Sequence, residues 1–356
     1  MAENIMITET TEVRKEHRFD AAKLERYMGK HVDGFSGNLK VRQFEHGQSN
    51  PTYFLSDAER NYILRKKPPG ELLPSAHAVD REYRIMSTLQ DTGVPVPKTY
   101  LLCEDESIIG TAFFIMDVVE GRVFRDHVAS QAENPQERAA IFDSMIKTLA
   151  SIHTADWEGL GLSDYGKPGN YMARQVHRWT KQYMASKTDE IESMNKLMGW
   201  FPEHIPADDT TTIVHGDFRL ENLIIHPTEP RVVAVLDWEL GTLGHPLADL
   251  AYNCMHYYLS SDNTMNYGFQ DHDLETLGIP SEQDYVAVYC RHTGRDEIPD
   301  WYFYLAFSLF RLASIVQGVY KRGLDGIASS QTAQQYGPMV EFFSNAAWEI
   351  VTQKGI

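Results

Sequence analysis

Residues 213–239 read IVHGDFRLENLIIHPTEPRVVAVLDWE, and they place Asn222 five positions after Asp217 and Asp237 fifteen positions after that. Phosphoryl transfer needs such a set: one carboxylate to take a hydroxyl proton, and an amide oxygen with a second carboxylate to hold Mg²⁺. The elements that position these groups are legible around them. The apolar runs 223–225 and 232–236 read as two short buried strands joined by the turn His226-Pro227-Thr228-Glu229-Pro230. Antiparallel pairing brings sequence-distant ends together, so Asn222 and Asp237 are expected at neighbouring ends of one hairpin.

HGDxxxxN followed by an apolar strand and Asp237-Trp238-Glu239 resembles the catalytic core of the aminoglycoside phosphotransferase family, which has the protein-kinase-like fold. The resemblance implies that Asp217 acts on the substrate hydroxyl and that Asn222 and Asp237 bind Mg²⁺. It also implies structural support from His215 and from Asp249, the latter in the helix-opening run Gly244-His245-Pro246-Leu247-Ala248-Asp249-Leu250. Arg219 lies two residues after Asp217, where protein kinases carry a Lys against the transferring phosphate. A cation there offsets charge on the γ-phosphoryl oxygens. Asp-Trp-Glu in place of the protein-kinase Asp-Phe-Gly points to the small-molecule branch and leaves Glu239 as a substrate-binding candidate with no assigned role.

The first third of the chain reads as a hairpin-rich lobe. After a tail expected to be mobile to about residue 17, Asp20 can cap a short helix on which Leu24, Tyr27 and Met28 share a face. Strand-like runs follow at 39–45, 52–55 and 62–65. The loop containing Gly47, Gln48, Ser49 and Asn50 stands where kinase-like folds lay a phosphate-covering turn, whose backbone N–H groups can contact phosphate oxygens. A nucleotide kinase also needs a cation for the α/β-phosphates and a helix carboxylate to hold it. The resemblance puts the cation at Arg65, with Lys66 as competitor; strand alternation points the two to opposite faces. Glu82, in the helix expected over 79–90, is the carboxylate. Strands at 99–103 and 112–118 follow, and Met116-Asp117-Val118 resembles the hinge where such enzymes bind adenine.

Beyond the hinge the sequence turns helical. Pro135–His153 carries Ile141, Met145, Ile146, Leu149 and Ile152 near helical spacing, with His153 read as a packing residue. A helical insert over 171–200 carries Arg174, Arg178 and Lys181 as one basic stripe, either a solvated face or an anion site for substrate. Helices are expected at 282–292, 299–322 and 332–352, with Pro299 in a first turn and Gly323 as a stop. The apolar stretch 301–320 is interrupted by Arg311 and Gln317, which marks a buried helix rather than a membrane span.

Composition sets the outer bounds. With 356 residues, 42% of them hydrophobic, the chain can bury a large core and is long enough for two lobes, drawn here as 1–116 and 117–356. The formal charge is 33 − 50 = −17; residues 1–116 hold 15 basic and 17 acidic side chains, leaving −15 for the rest. Nucleic acid and anionic membranes are poor partners for such a surface. Three widely spaced cysteines suggest neither a disulfide framework nor a zinc site, and with an N-terminus unlike a secretory or mitochondrial leader they point to a reducing cytoplasm.

The expected architecture is α+β and bilobal, a protein-kinase-like fold with a β-rich N-lobe and a larger, mainly helical C-lobe. The expected activity is an ATP- and Mg²⁺-dependent phosphotransferase acting on a hydroxyl of a small molecule. The segments YILRKKPPG, IHTADWEGLGLSDYGKPGNYMARQVHRW and HGDFRLENLI together resemble the kinase-like domain fused in animals to acyl-CoA dehydrogenases, which implies a hydroxyacyl-CoA acceptor. Two alternatives stand beside it: an aminoglycoside or other small-alcohol kinase, and a non-catalytic kinase-like binding protein. The presence of Asp217, Asn222 and Asp237 together speaks against the latter.

Overall fold

The computed structural model describes residues 10–45, 50–68, 78–261, 267–328 and 332–353. The chain forms two compact units, Met1–Val123 with Asn222–Gly241, and Phe124–Glu221 with Thr242–Ile356. A single cut at 116/117 assigns the 222–241 hairpin to the helical part; its backbone contacts lie in the first unit instead. There Arg122 and Ile225 exchange two N–H to carbonyl bonds of 2.7 and 2.9 Å, and the Val235 N–H donates to the Pro95 carbonyl at 2.8 Å.

The first unit is built on an antiparallel six-stranded sheet in the order Thr10–Thr11, Lys40–Phe44, Thr52–Ser56, Asn61–Lys66, Phe113–Asp117, Thr99–Cys103. Residues 10–17 are not a loose tail. Thr10–Thr11 pairs with Phe44 and Gln43, and Arg42 donates to both the hydroxyl and the carbonyl of Thr10. The pleat sends successive side chains to opposite faces. Tyr53, Leu55, Tyr62 and Leu64 enter a core with Leu24 and Met28 of the helix Ala21–His31. Asp20 caps that helix through the Lys23 N–H, as its position suggests. Arg65 emerges on the other face, toward the helix Val79–Leu89.

The second unit is mainly helical. Asn134 caps Pro135–His153 by accepting the Glu137 N–H, and the five apolar positions read from the sequence are buried. The expected insert over 171–200 is two helices, Tyr171–Ser186 and Glu192–Trp200. The chain turns extended at Lys187, and the terminal Ser186 carbonyl is satisfied by the Gln317 side-chain amide at 2.7 Å.

Trp301–Leu324 is the central helix of this unit; although long and apolar enough to cross a membrane, most of its side chains are buried in the protein interior. It starts after Asp300, which adopts the left-handed conformation, so Pro299 lies outside it. Gly323 lies in its last turn, one residue before its end, and a Cβ there would sit 2.9 Å from Ala333 Cβ and from the Gln334 nitrogen. The glycine permits close approach of the turn Ala333–Tyr336, which leads into Gly337–Gln353. A two-stranded pairing of Thr212–Val214 with Thr242–Gly244 carries the chain into the HGD loop.

Candidate active site

In the first unit, the hairpin strands Leu223–Ile225 and Val232–Val235 pair as the sequence suggests, and the Leu236 N–H donates to the Asn222 carbonyl at 2.8 Å. Asn222 and Asp237 therefore end at the same mouth. Trp238 anchors the turn behind them: it is fully buried and its indole N–H donates to the Val235 carbonyl at 3.0 Å. Asp237 itself sits in the left-handed region at φ 64°.

Arg65 reaches this mouth from the sheet. Its Nε lies 3.0 Å from Glu82 Oε2, its Nη2 2.5 Å from Asp237 Oδ1 and 3.9 Å from Glu239 Oε2. Lys66 points the opposite way, its Nζ 5.5 Å above the Phe19 ring and 5.7 Å above Tyr53, and burial lowers its pKa. Of the two candidate cations, Arg65 is the one that meets a helix carboxylate and the hairpin. Burial works against the Arg65 charge, but Glu82, Asp237 and Glu239 outweigh it and raise its pKa. Burial pushes the Glu82 carboxyl up to about 7, Arg65 pulling the other way and the two further carboxylates adding to the rise.

The Asn222 amide and the Asp237 carboxylate are hard oxygen donors. They suit Mg²⁺, which takes one or two protein oxygens and completes its octahedron with phosphates and water. No group of three His, Cys, Asp or Glu among the described residues forms an all-protein metal cage. Asn50 is buried, with its carbonyl accepting the Thr52 hydroxyl at 3.1 Å; Gly47, Gln48 and Ser49 lie outside the described residues. Met116 pairs with Ile63 and Asp117 with Tyr62 at the strand end. The Asp117 N–H donates to the Lys98 carbonyl, and the Val118 N–H to Asp117 Oδ1.

In the second unit, Asp249 fastens the HGD loop. Its carboxylate accepts the N–H of His215 at 2.5 Å and of Gly216 at 2.9 Å, and lies 3.5 Å from His153 Nε2. Burial alone would raise the Asp249 pKa, but the His153 contact and the loop N–H bonds take it below the ordinary value. His215 is fully buried, and its Nδ1 accepts the Asp217 N–H at 3.2 Å. His153, held also by the Tyr289 hydroxyl at 2.7 Å, is a packing residue of this brace. At the loop surface Arg219 Nε lies 3.3 Å from Asp217 Oδ2. Burial raises the Tyr252 pKa and the neighbouring Asp217 charge adds to the rise, while Asn253 donates to the Phe218 carbonyl at 3.2 Å.

The sequence profile described as the Phosphotransferase enzyme family matches residues 40–285. The chain belongs to that family. The chain is 48% identical to mouse Acyl-CoA dehydrogenase family member 10 over 98% of its own length, and spans 33% of that relative. A crystal structure from Ralstonia eutropha JMP134, assigned by name to the aminoglycoside phosphotransferases, is 49% identical with a TM-score of 0.87, covering 94% of this chain and 99% of that one. Aminoglycoside phosphotransferase APH(4)-Ia, solved with ADP and hygromycin B, shares the fold at 14% identity and a TM-score of 0.59, over 93% and 99% of the two chains. The chain thus has the protein-kinase-like α+β fold.

Two of the substrate-binding candidates have other partners in the folded chain. Glu239, which the sequence left without a role, lies 3.9 Å from the Arg65 guanidinium. Within that stripe Arg174 donates to the carbonyls of Gly169 and Lys167 and braces the loop before its helix, whereas Arg178 and Lys181 are exposed, with Arg178 over the Trp179 ring. Sequence reading also passed over Tyr252, Asn253 and Arg311. Arg311 left a signal, as the only charged residue in the apolar stretch 301–320.

Proposed function

We propose that this phosphotransferase moves the γ-phosphate of Mg·ATP to the hydroxyl of a small molecule, with a hydroxyacyl-CoA as the acceptor class. The observation that carries the chemistry is the HGD loop, whose backbone is clamped on buried Asp249 while Asp217 stands beside Arg219. Asp217 takes the acceptor's hydroxyl proton as the oxygen attacks. Arg219 supplies positive charge beside it. Arg65, fixed by Glu82, serves the α/β-phosphates, and Asn222 and Asp237 hold the metal. Bound Mg·ATP supplies the transferable phosphoryl group and a divalent charge that offsets its oxygens. Transfer is direct, with no phosphoenzyme.

Support for the acceptor comes from relatives named as acyl-CoA dehydrogenases, in which the region matching this chain is fused to further sequence. Exposed Arg178 and Lys181 are candidate cations for the anionic CoA portion. The runner-up is an aminoglycoside or other small alcohol, favoured by the name of the Ralstonia relative and by the net −15 of residues 117–356, which suits a polycation. We trust the fusion over net charge, because binding follows the local field rather than the surface sum. The cysteines, none of them in a disulfide, fit a reducing, cytoplasmic compartment.

Mass spectrometry of products after incubation with Mg·ATP and a panel of hydroxyacyl-CoAs, hydroxy acids and aminoglycosides decides the acceptor. A phosphate-sized mass gain on a hydroxyacyl-CoA, absent with Asp217→Asn, is the expected result. A gain only on another alcohol would overturn the acceptor class and leave the kinase reading standing.

A further inference from the structure

Within helix Trp301–Leu324, Arg311 is the one charged residue of the stretch 301–320. Bringing a charge out of water costs several kcal/mol unless other groups compensate it. Among the described residues Arg311 makes no ion pair with a carboxylate; its partners are a backbone carbonyl and two rings. The guanidinium carbon lies 5.5 Å from the Trp179 ring centre and 5.0 Å from that of Tyr252. Its Nη2 donates to the Gly216 carbonyl at 2.6 Å.

Gly216 directly precedes Asp217 and has φ +82°, a conformation that side chains rarely adopt. Its N–H is held by Asp249 on the helix Pro246–Cys254 and its carbonyl by Arg311 on the helix Trp301–Leu324. Two elements thus grip both polar groups of this residue and fix the peptide plane that leads into Asp217. Tyr252 forms one wall for the guanidinium. A cation donating to a carbonyl is a stronger restraint than a neutral donor, and only a flat guanidinium can stack on rings while donating in its plane.

We propose that Arg311 is a positioning residue of the phosphoryl-transfer reaction, orienting Asp217 through the Gly216 carbonyl; this rests on the role assigned to Asp217 above. Arg311 does not touch the reacting atoms. Its loss therefore acts on kcat through Asp217 and leaves acceptor binding in place.

The test compares Arg311→Met and Arg311→Lys in the full chain, each alone and combined with Asp217→Asn. Arg311→Met is expected to lower kcat by about 10²-fold, as displacement of a catalytic group by about 1 Å can do, with acceptor KM within about two-fold. Arg311→Lys keeps a donor without the stack and recovers part of the rate. Both losses shrink toward zero in the Asp217→Asn background, since the group being positioned is already gone. A loss of the same size in that background, a change confined to KM, or wild-type kcat in Arg311→Met overturns the inference. Should Arg311→Met not fold, Arg311→Lys carries the same comparison.

Amide resonances of Gly216 and Asp217 supply a readout independent of turnover. They shift in Arg311→Lys if the carbonyl is its acceptor, and unmoved resonances count against the inference. An inactive wild-type protein with shifted resonances would instead sink the kinase reading and leave the Arg311 contact intact.

Discussion

Arg65 and Glu82 are a buried ion pair, with side chains 12% and 2% exposed, and the cost of separating them is set by the charge left behind. Removing one partner of such a pair destabilises a protein by about 3–5 kcal/mol, whereas replacing both by apolar side chains is often neutral. Arg65→Met should therefore lower the melting temperature sharply, and Arg65→Met with Glu82→Met should restore most of it while activity stays lost. Recovery of activity in the double variant would mean that Arg65 serves stability alone. Alternation along Asn61–Lys66 shows that Arg65 and Lys66 face opposite ways, so that much was legible. Which face holds Glu82 was not, because Phe19 and Tyr53, which take Lys66, are distant in the sequence. Arg174 misled for a similar reason: helical spacing shows a stripe, but not that one member bends back to the Gly169 and Lys167 carbonyls.

Elements whose determinants are local were legible in the sequence. The 223–235 hairpin and the helix Pro135–His153 rest on apolar runs around a turn and on apolar residues at helical spacing, whereas the Asp249 clamp, 33 residues from Gly216, was implied by the family resemblance. Elements whose ends depend on tertiary contacts were not, such as the break after Ser186, satisfied by Gln317, and the passage of the long helix through Gly323. The junction of Thr242–Gly244 with Pro246–Cys254 carries its own titration. His245 is buried, and burial lowers its pKa to about 4, with Asp208 at 3.4 Å opposing and Arg295 adding. An unfolded chain takes up that proton near pH 6.5 and the folded one near 4, so stability is full above about 6.5 and falls as pH drops through this window. The loss is on the order of 3 kcal/mol. Asp208, also held below its usual value, adds its own loss only below about pH 4. Melting temperature measured from pH 4 to 8 should fall less steeply on the acid side in His245→Asn than in the parent; equal slopes would show that His245 does not carry the dependence.

For the whole molecule, the proposed nucleotide site predicts a linkage. A ligand that binds only the folded chain stabilises it by about 2.7 kcal/mol at a hundred times its Kd. ATP should therefore raise the melting temperature more with Mg²⁺ than without it, and Asp237→Asn should abolish the difference. A Mg²⁺-dependent increment that survives in Asp237→Asn would remove that residue from the metal site. The net charge of −17 says little about the acceptor by comparison, because fields in a binding cleft depend on which charges line it.

The central claim is direct transfer to an alcohol with Asp217 as the proton acceptor. It is tested most directly by a single-turnover experiment that follows the label from γ-labelled ATP in the parent and in Asp217→Asn. The account predicts label in the acceptor and none on the protein, with Asp217→Asn slower by about 10²–10⁴-fold. Labelled protein that passes its phosphate on to product, or Asp217→Asn transferring at the parent rate, would contradict it.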